Sequence, residues 1–184
     1  MSGPLFLVVS GIPGSGKTTL AKRLGSALQL PVVDKDDILA ELFEERGIGD
    51  DSWRKGLSRE SDLLFRERAL ASKGALLVSF WHVAGMPPDS GTPTDWLSFL
   101  WGTIVNLRCV CPPEVAARRF QQRQRHPGHL DHKMSLGDLV TSLQKLDSLG
   151  PPLGIGPHIE LDTFSEPDLD PILRSLASLA SQCL

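Results

Sequence analysis

The sequence predicts an α/β protein, with a parallel sheet carrying helices on both faces. Three observations support this. Short strand-like stretches recur at about 5–9, 30–33, 75–80, 103–111 and 158–161, and those at 5–9 and 75–80 are nearly unbroken apolar runs, the look of strands buried on both faces. Between them lie longer stretches with apolar residues at helical spacing. The first run and the first helical stretch are joined by a glycine-rich turn. Strands separated in this way are linked by right-handed crossovers. Ligands of such sheets collect at the carboxyl ends of the strands.

The elements follow in order. Leu5-Phe6-Leu7-Val8-Val9 is the first strand, and Leu20, Leu24 and Leu28 mark the helix after the turn, with Ala21 and Ala27 favouring it. Leu30-Pro31-Val32-Val33 is a second strand. One of Asp34, Asp36 and Asp37 then caps a helix beginning at about Ile38. Gly47 to Asp51 form a turn, and a long helix is expected over 52–72, with Leu57, Leu64 and Ala71 on one stripe and Gly74 beyond its end. The third strand runs to Phe80, and the Thr92-Pro93-Thr94-Asp95 stretch after a Pro- and Gly-rich loop reads as a capping box. A fourth strand leads into a helix opened by Pro112-Pro113-Glu114. After a polar Gly-Pro-His segment, Ser135 and Asp138 cap another helix. A loop from Gly150 to Gly156, a fifth strand and a last helix with Ile172, Leu176, Leu179 and Cys183 on its core stripe complete the chain. Trp53 and Trp101 are expected in the core.

Composition narrows the class. At 184 residues with 41% hydrophobic content, one domain (1–184) with a full core is expected. A net charge of −3, from 19 basic and 22 acidic residues, disfavours a protein held on nucleic acid by bulk charge. Three cysteines, an odd and sparse set, suit buried thiols in a reducing compartment. Cys109 and Cys111 share a strand face, which fits packing better than zinc. No apolar run approaches the ~20 residues of a membrane span, and the first strand begins too early for a signal peptide to precede it. A cytoplasmic protein is expected.

The chemistry begins at the turn. Gly11-Ile12-Pro13-Gly14-Ser15-Gly16-Lys17-Thr18-Thr19 fits G-x-x-x-x-G-K-S/T between a strand and a helix, the context that motif requires. Its glycines let successive amides point at phosphate oxygens, and the helix start adds its positive dipole end. Lys17 is placed for the β- and γ-phosphates and Thr18 for Mg²⁺. Asp34, Asp36 and Asp37 stand at the carboxyl end of the second strand, three carboxylates where one cap is needed. One of them suits orientation of an acceptor hydroxyl and uptake of its proton, and a carboxylate there also suits Mg²⁺ held through water. Arg119 and Arg123, four apart on one helix face, either clamp a transferring phosphoryl group or form a solvated basic face with Arg118 and Arg125. They lead into a segment of the lid kind, about 119–134. In that segment His126, His129 and His132 are interrupted by Pro and Gly, which spoils metal geometry; contact of His126 or His129 with phosphate is the better expectation. At the end of the third strand, Ser79-Phe80-Trp81-His82 lacks the carboxylate a hydrolase would use. This places Trp81 and His82 toward an acceptor pocket, with core packing as the alternative for Trp81.

Taken together, G-I-P-G-S-G-K-T-T, V-V-D-K-D-D-I and R-R-F-Q-Q-R-Q-R-H-P-G-H resemble the P-loop kinases of the zeta-toxin, gluconate-kinase and polynucleotide-kinase-like group. The resemblance implies a P-loop three-layer sandwich, a five-stranded sheet of order 2-3-1-4-5 with a lid, and ATP with Mg²⁺. The basic-Asp-Asp pattern of polynucleotide-kinase-like members maps onto Lys35-Asp36-Asp37 and selects Asp36 as base and as the water-mediated contact to Mg²⁺. Arg119, Arg123 and His126 match the R-x-x-x-R and later His of gluconate-kinase-like members. The adenine-contacting loop falls at Thr163 to Glu166, and Asp34, Trp81 and His82 remain for the acceptor. Where polynucleotide kinases place a phosphate-holding Arg, this sequence has Leu39, which turns the expectation toward a small-molecule hydroxyl and away from nucleic acid. A polynucleotide 5′-hydroxyl kinase and a non-catalytic nucleotide-binding regulator are the alternatives.

Overall fold

The computed structural model describes residues 3–129, 134–149 and 153–182. His132, Gly150 and Cys183, named in the sequence reading, and residues 130, 131 and 133 of the expected lid lie outside the described residues. Five strands form one parallel sheet: β1 (Leu5–Ser10), β2 (Val32–Asp34), β3 (Ala75–Val78), β4 (Thr103–Val110) and β5 (His158–Asp162). Their order is β2-β3-β1-β4-β5, as the resemblance implied. Six helices connect and flank them: α1 (Lys17–Leu28), α2 (Lys35–Arg46), α3 (Asp51–Ala71), α4 (Pro113–Gln122), α5 (Leu136–Ser148) and α6 (Leu169–Gln182). Among the described residues no helix is long and apolar enough to cross a membrane.

The central strand shows why the apolar run had no gaps. Leu7 and Val9 face a layer built from Leu20 and Leu24 of α1 and Ile172 and Leu176 of α6. Phe6 and Val8 face the opposite layer, with Phe65 and Ala69 of α3, Trp81 and Trp96. Side chains alternate between faces along a strand, and because both faces are covered both sets are apolar. In-register pairing of Val8 with Leu77 on one side and Asn106 on the other fixes the three central strands.

Several local expectations are corrected. The helix after β2 begins at Lys35, because Asp34 itself is the N-cap and accepts from the Asp36 amide at 2.9 Å. The buried stripe of α3 is Leu57, Ser61, Phe65 and Ala69, while Ala71 is exposed. Ser61 tolerates burial because its hydroxyl donates to the Ser58 carbonyl at 2.7 Å. Strand β3 ends at Val78, and the Thr92–Asp95 stretch does not start an α-helix: a 3₁₀ turn spans Asp95–Phe99, without a side-chain cap. That turn drives Trp96 and Leu97 into the layer under α3. Trp53 is half-buried, stacked on Phe43 with centroids 5.9 Å apart, and Trp101 is 77% exposed. The Ser135 cap forms as expected, accepting from the Asp138 amide at 3.2 Å.

Candidate active site

The carboxyl ends of β1, β2 and β3 open onto one cleft of about 740 Å³. Its floor is the loop after β1, where Gly14 (φ 82°) and Gly16 (φ 92°) adopt left-handed backbone. At Gly14 a Cβ would also collide with the Ala116 carbonyl of α4, so this turn depends on glycine for both conformation and space. Lys17 reaches back over the loop, its Nζ donating to the carbonyls of Gly11 at 2.9 Å and Ile12 at 3.0 Å. Burial pulls the Lys17 ammonium below its ordinary pKa, and the nearby Arg123 adds to this; Cys109, Asp36 and Asp34 act in the opposite direction.

Across the loop, the Thr18 hydroxyl donates to Asp34 Oδ2 at 2.7 Å. Asp34 is 4% exposed, and burial pushes its carboxyl up to about 6, against the bond from Thr18. It thus bonds Thr18 and caps α2 while lining the same cleft. Asp36, the second residue of α2, lines the cleft. Burial would raise its pKa, but Arg125, His129, Arg123 and Lys17 together hold it below the usual carboxylate range. Arg125 Nη2 lies 2.5 Å from Asp36 Oδ2.

The segment after α4 folds over this end of the cleft. Helix α4 stops at Gln122, and Arg123 is its extended C-cap, so Arg119 and Arg123 do not share a helical face. Arg119 donates to the carbonyls of Thr163 at 2.8 Å and Phe164 at 2.6 Å, tying the root of the segment to the loop after β5. Arg123 sits above the Phe120 ring, 4.2 Å from its centroid, and lines the cleft. The segment is pinned to α2 through Phe43: His126 stacks on that ring at 5.2 Å, His129 meets its edge at 5.2 Å, and a Cβ at Gly128 would run into it. Both histidines pack on Phe43 and also line the cleft. Thr163 lies beside Gly16, and its hydroxyl donates to the Val110 carbonyl at 2.9 Å.

Trp81 and His82, expected toward the acceptor, do not line the cleft. The Trp81 indole is buried against Phe65 and Trp96 and donates to the Val9 carbonyl at 2.9 Å. His82 Nδ1 lies 2.7 Å from the Ser90 carbonyl. The wall is formed instead by Asp37 and Ala40 of α2, Arg54 of α3, and Val78, Ser79 and Phe80. Arg54 carried one signal in the sequence: it stands at the end of the first turn of a helix, where a cation opposes the dipole. Phe80 carried none. Trp81→Phe keeps an aromatic ring but removes the side-chain hydrogen bond to the Val9 carbonyl, and is expected to cost about 0.5–1.5 kcal/mol in urea unfolding with acceptor KM unchanged. A raised KM at unchanged stability would instead place Trp81 in the pocket.

A phosphate loop, a carboxylate pair after β2 and an arginine-bearing segment over the same cleft define a P-loop kinase. The family model described as an AAA domain matches residues 6–136, and the chain belongs to that family. It is 29% identical over 139 residues to the cytidylate kinase of Methanopyrus kandleri, covering 66% of this chain and 71% of that one. It is 26% identical over 144 residues to the shikimate kinase of Bacillus mycoides, covering 75% and 78%. Among solved structures, a candidate kinase from Chloroflexus aurantiacus superposes with a TM-score of 0.79 at 26% identity, over 96% of this chain and 98% of that one.

Proposed function

We propose that the chain is an ATP- and Mg²⁺-dependent phosphotransferase whose acceptor is a hydroxyl of a small molecule. The observation that carries this reading is the shared cleft, in which Asp36, held ionised by its cationic neighbours, faces the space above Lys17 and Thr18. The loop amides and Lys17 hold the β- and γ-phosphates. Asp34 and Thr18 offer hard oxygen donors, and a buried carboxylate pushed up to about 6 is one that a cation would restore to its charged form. Thr18, with Asp34 behind it, would hold Mg²⁺, which when bound neutralises charge on the phosphate oxygens.

Asp36 orients the acceptor hydroxyl. As the hydroxyl oxygen bonds to the γ-phosphorus, the bond to the bridging β–γ oxygen breaks, ADP leaves, and the hydroxyl proton passes to Asp36. A depressed pKa suits that role, since the group stays ionised and takes the proton only as the O–P bond forms. Arg123, near both Lys17 and Asp36, is placed for the transferring group, whereas Arg119 serves the nucleotide side by fixing the loop at Thr163. The pinned segment shields the cleft from water. Leu39 is buried between α2 and α3 with Leu42 and Leu57, so the position at which polynucleotide kinases carry a phosphate-holding Arg is taken here by a core leucine. The test is transfer of label from γ-labelled ATP to a panel of hydroxylated metabolites and oligonucleotides. Labelled small-molecule product is expected; label passing only to oligonucleotides or only to water would overturn the reading.

A further inference from the structure

Arg125 Nη2 lies 2.5 Å from Asp36 Oδ2, and both side chains line the cleft. One oxygen of the proposed base is therefore engaged by the protein itself. Delivery of this guanidinium is built into the fold. Arg125 follows the extended cap of α4, and His126, Gly128 and His129 just after it pack on Phe43 of α2. The Arg125 side chain is 15% exposed and that of Asp36 49%. A guanidinium keeps its charge at any pH a protein meets, and at that burial it requires oxygen partners.

Half-exposed, Asp36 is within reach of water as well as of an alcohol. Water in line with the γ-phosphate would be consumed by the same chemistry. Its oxygen would bond to phosphorus, the β–γ bridging bond would break, ADP and inorganic phosphate would leave, and one water proton would pass to Asp36. A cleft of about 740 Å³ has room for many waters, so shielding by the segment is not enough to favour an alcohol. Discrimination needs a difference in binding energy. Water brings only its own hydrogen bonds to Asp36, whereas a larger alcohol brings contacts along the whole wall, and these can drive separation of the ion pair. We propose that Arg125 determines specificity for the acceptor over water, as a guard on Asp36 that yields to the acceptor hydroxyl and not to a water molecule. This rests on the phosphotransferase reading. Arg123, near Lys17, remains for the phosphates while Arg125 serves Asp36, and Arg119 is held by the carbonyls of Thr163 and Phe164.

The test is release of labelled phosphate from γ-labelled ATP by the full chain with Mg²⁺ and no acceptor, alongside calorimetry with a non-hydrolysable ATP analogue. Arg125→Met is expected to raise hydrolysis tenfold or more over wild type, with analogue affinity changed less than threefold. Arg125→Gln, a second and milder variant, should raise it as well. Arg125→Lys keeps a cation that can pair with Asp36 and should stay within threefold of wild type. The rise should vanish when Asp36→Asn is added to Arg125→Met. Hydrolysis at or below the wild-type rate in both Arg125→Met and Arg125→Gln, or a rise that survives Asp36→Asn, would overturn the proposal. So would an equal rise in Arg125→Lys, or loss of analogue affinity in both neutral variants, which would place Arg125 on the nucleotide. The phosphotransferase reading fails separately, by absence of analogue binding in the wild type or of label transfer to any small-molecule hydroxyl.

Discussion

Asp36→Asn is expected to lower phosphoryl transfer by about 10²–10⁴ fold, the range that a positioned general base contributes, while ATP-analogue affinity changes less than threefold. Asparagine keeps the shape and one carbonyl oxygen but cannot take the proton. It also removes the charge that Arg125 pairs with, so the segment over the cleft loses one of its attachments. Phe43 retains the others, since His126, Gly128 and His129 all pack on its ring, and the variant should fold with its cleft formed. Rapid-quench measurement of the chemical step separates the two effects: a base assignment requires the step itself to slow. Transfer at the wild-type rate would remove Asp36 from the chemistry.

Lys17→Met is expected to abolish nucleotide-dependent stabilisation and to reduce transfer at least ~10² fold, the scale of removing a charge-stabilising donor from a transition state. The apo protein should melt no lower than wild type. Burial lowers the Lys17 pKa in the folded chain, so between that value and its ordinary one the unfolded chain binds more protons. Stability therefore rises with pH across that interval, and below it the fold bears the full cost of the buried charge. Methionine fills similar volume without the charge. Tm measured with and without ATP analogue decides the matter, since binding at a hundredfold excess over Kd is worth about 2.7 kcal/mol to the wild type. A variant that still gains Tm with the analogue, or that melts well below wild type without it, would contradict the expectation.

Lys17, Thr18 and Asp36 were legible in the sequence because their roles follow from position along the chain. A strand, a glycine turn and a helix start fix where the first two point; the strand end left Asp34, Asp36 and Asp37 as candidates, and the resemblance at Lys35-Asp36-Asp37 selected the third. Elements with unbroken apolar runs were legible for a similar reason: a doubly covered strand has no polar face to confuse its period. The residues that could not be read were those whose direction depends on packing between distant segments. Trp81 turns inward because the Val9 carbonyl and the faces of Phe65 and Trp96 are there to receive it. Arg54 reaches the cleft only because α3 leans on α2 through Leu57, Leu39 and Phe43. The split between Arg119 and Arg123 depends on where α4 stops, a boundary with no proline or glycine at the residue itself to announce it. Residues 95–99 carried helix signals, yet burial of Trp96 and Leu97 beneath α3 favoured a tighter turn.

The strand order β2-β3-β1-β4-β5 has a consequence for how such a chain can diverge. In the proposed scheme, with β1 at the centre, the groups assigned to the triphosphate and the base come from the central loop and from the β4–β5 side. The wall assigned to the acceptor comes from one uninterrupted stretch, about 36–80, on the β2–β3 side. Donor and acceptor recognition are thus written in separate parts of the chain, with the lid as their shared border. Substitutions confined to that stretch can exchange one acceptor for another while the donor machinery is inherited unchanged. A frame of this kind can serve relatives named for acceptors as unlike as cytidylate and shikimate.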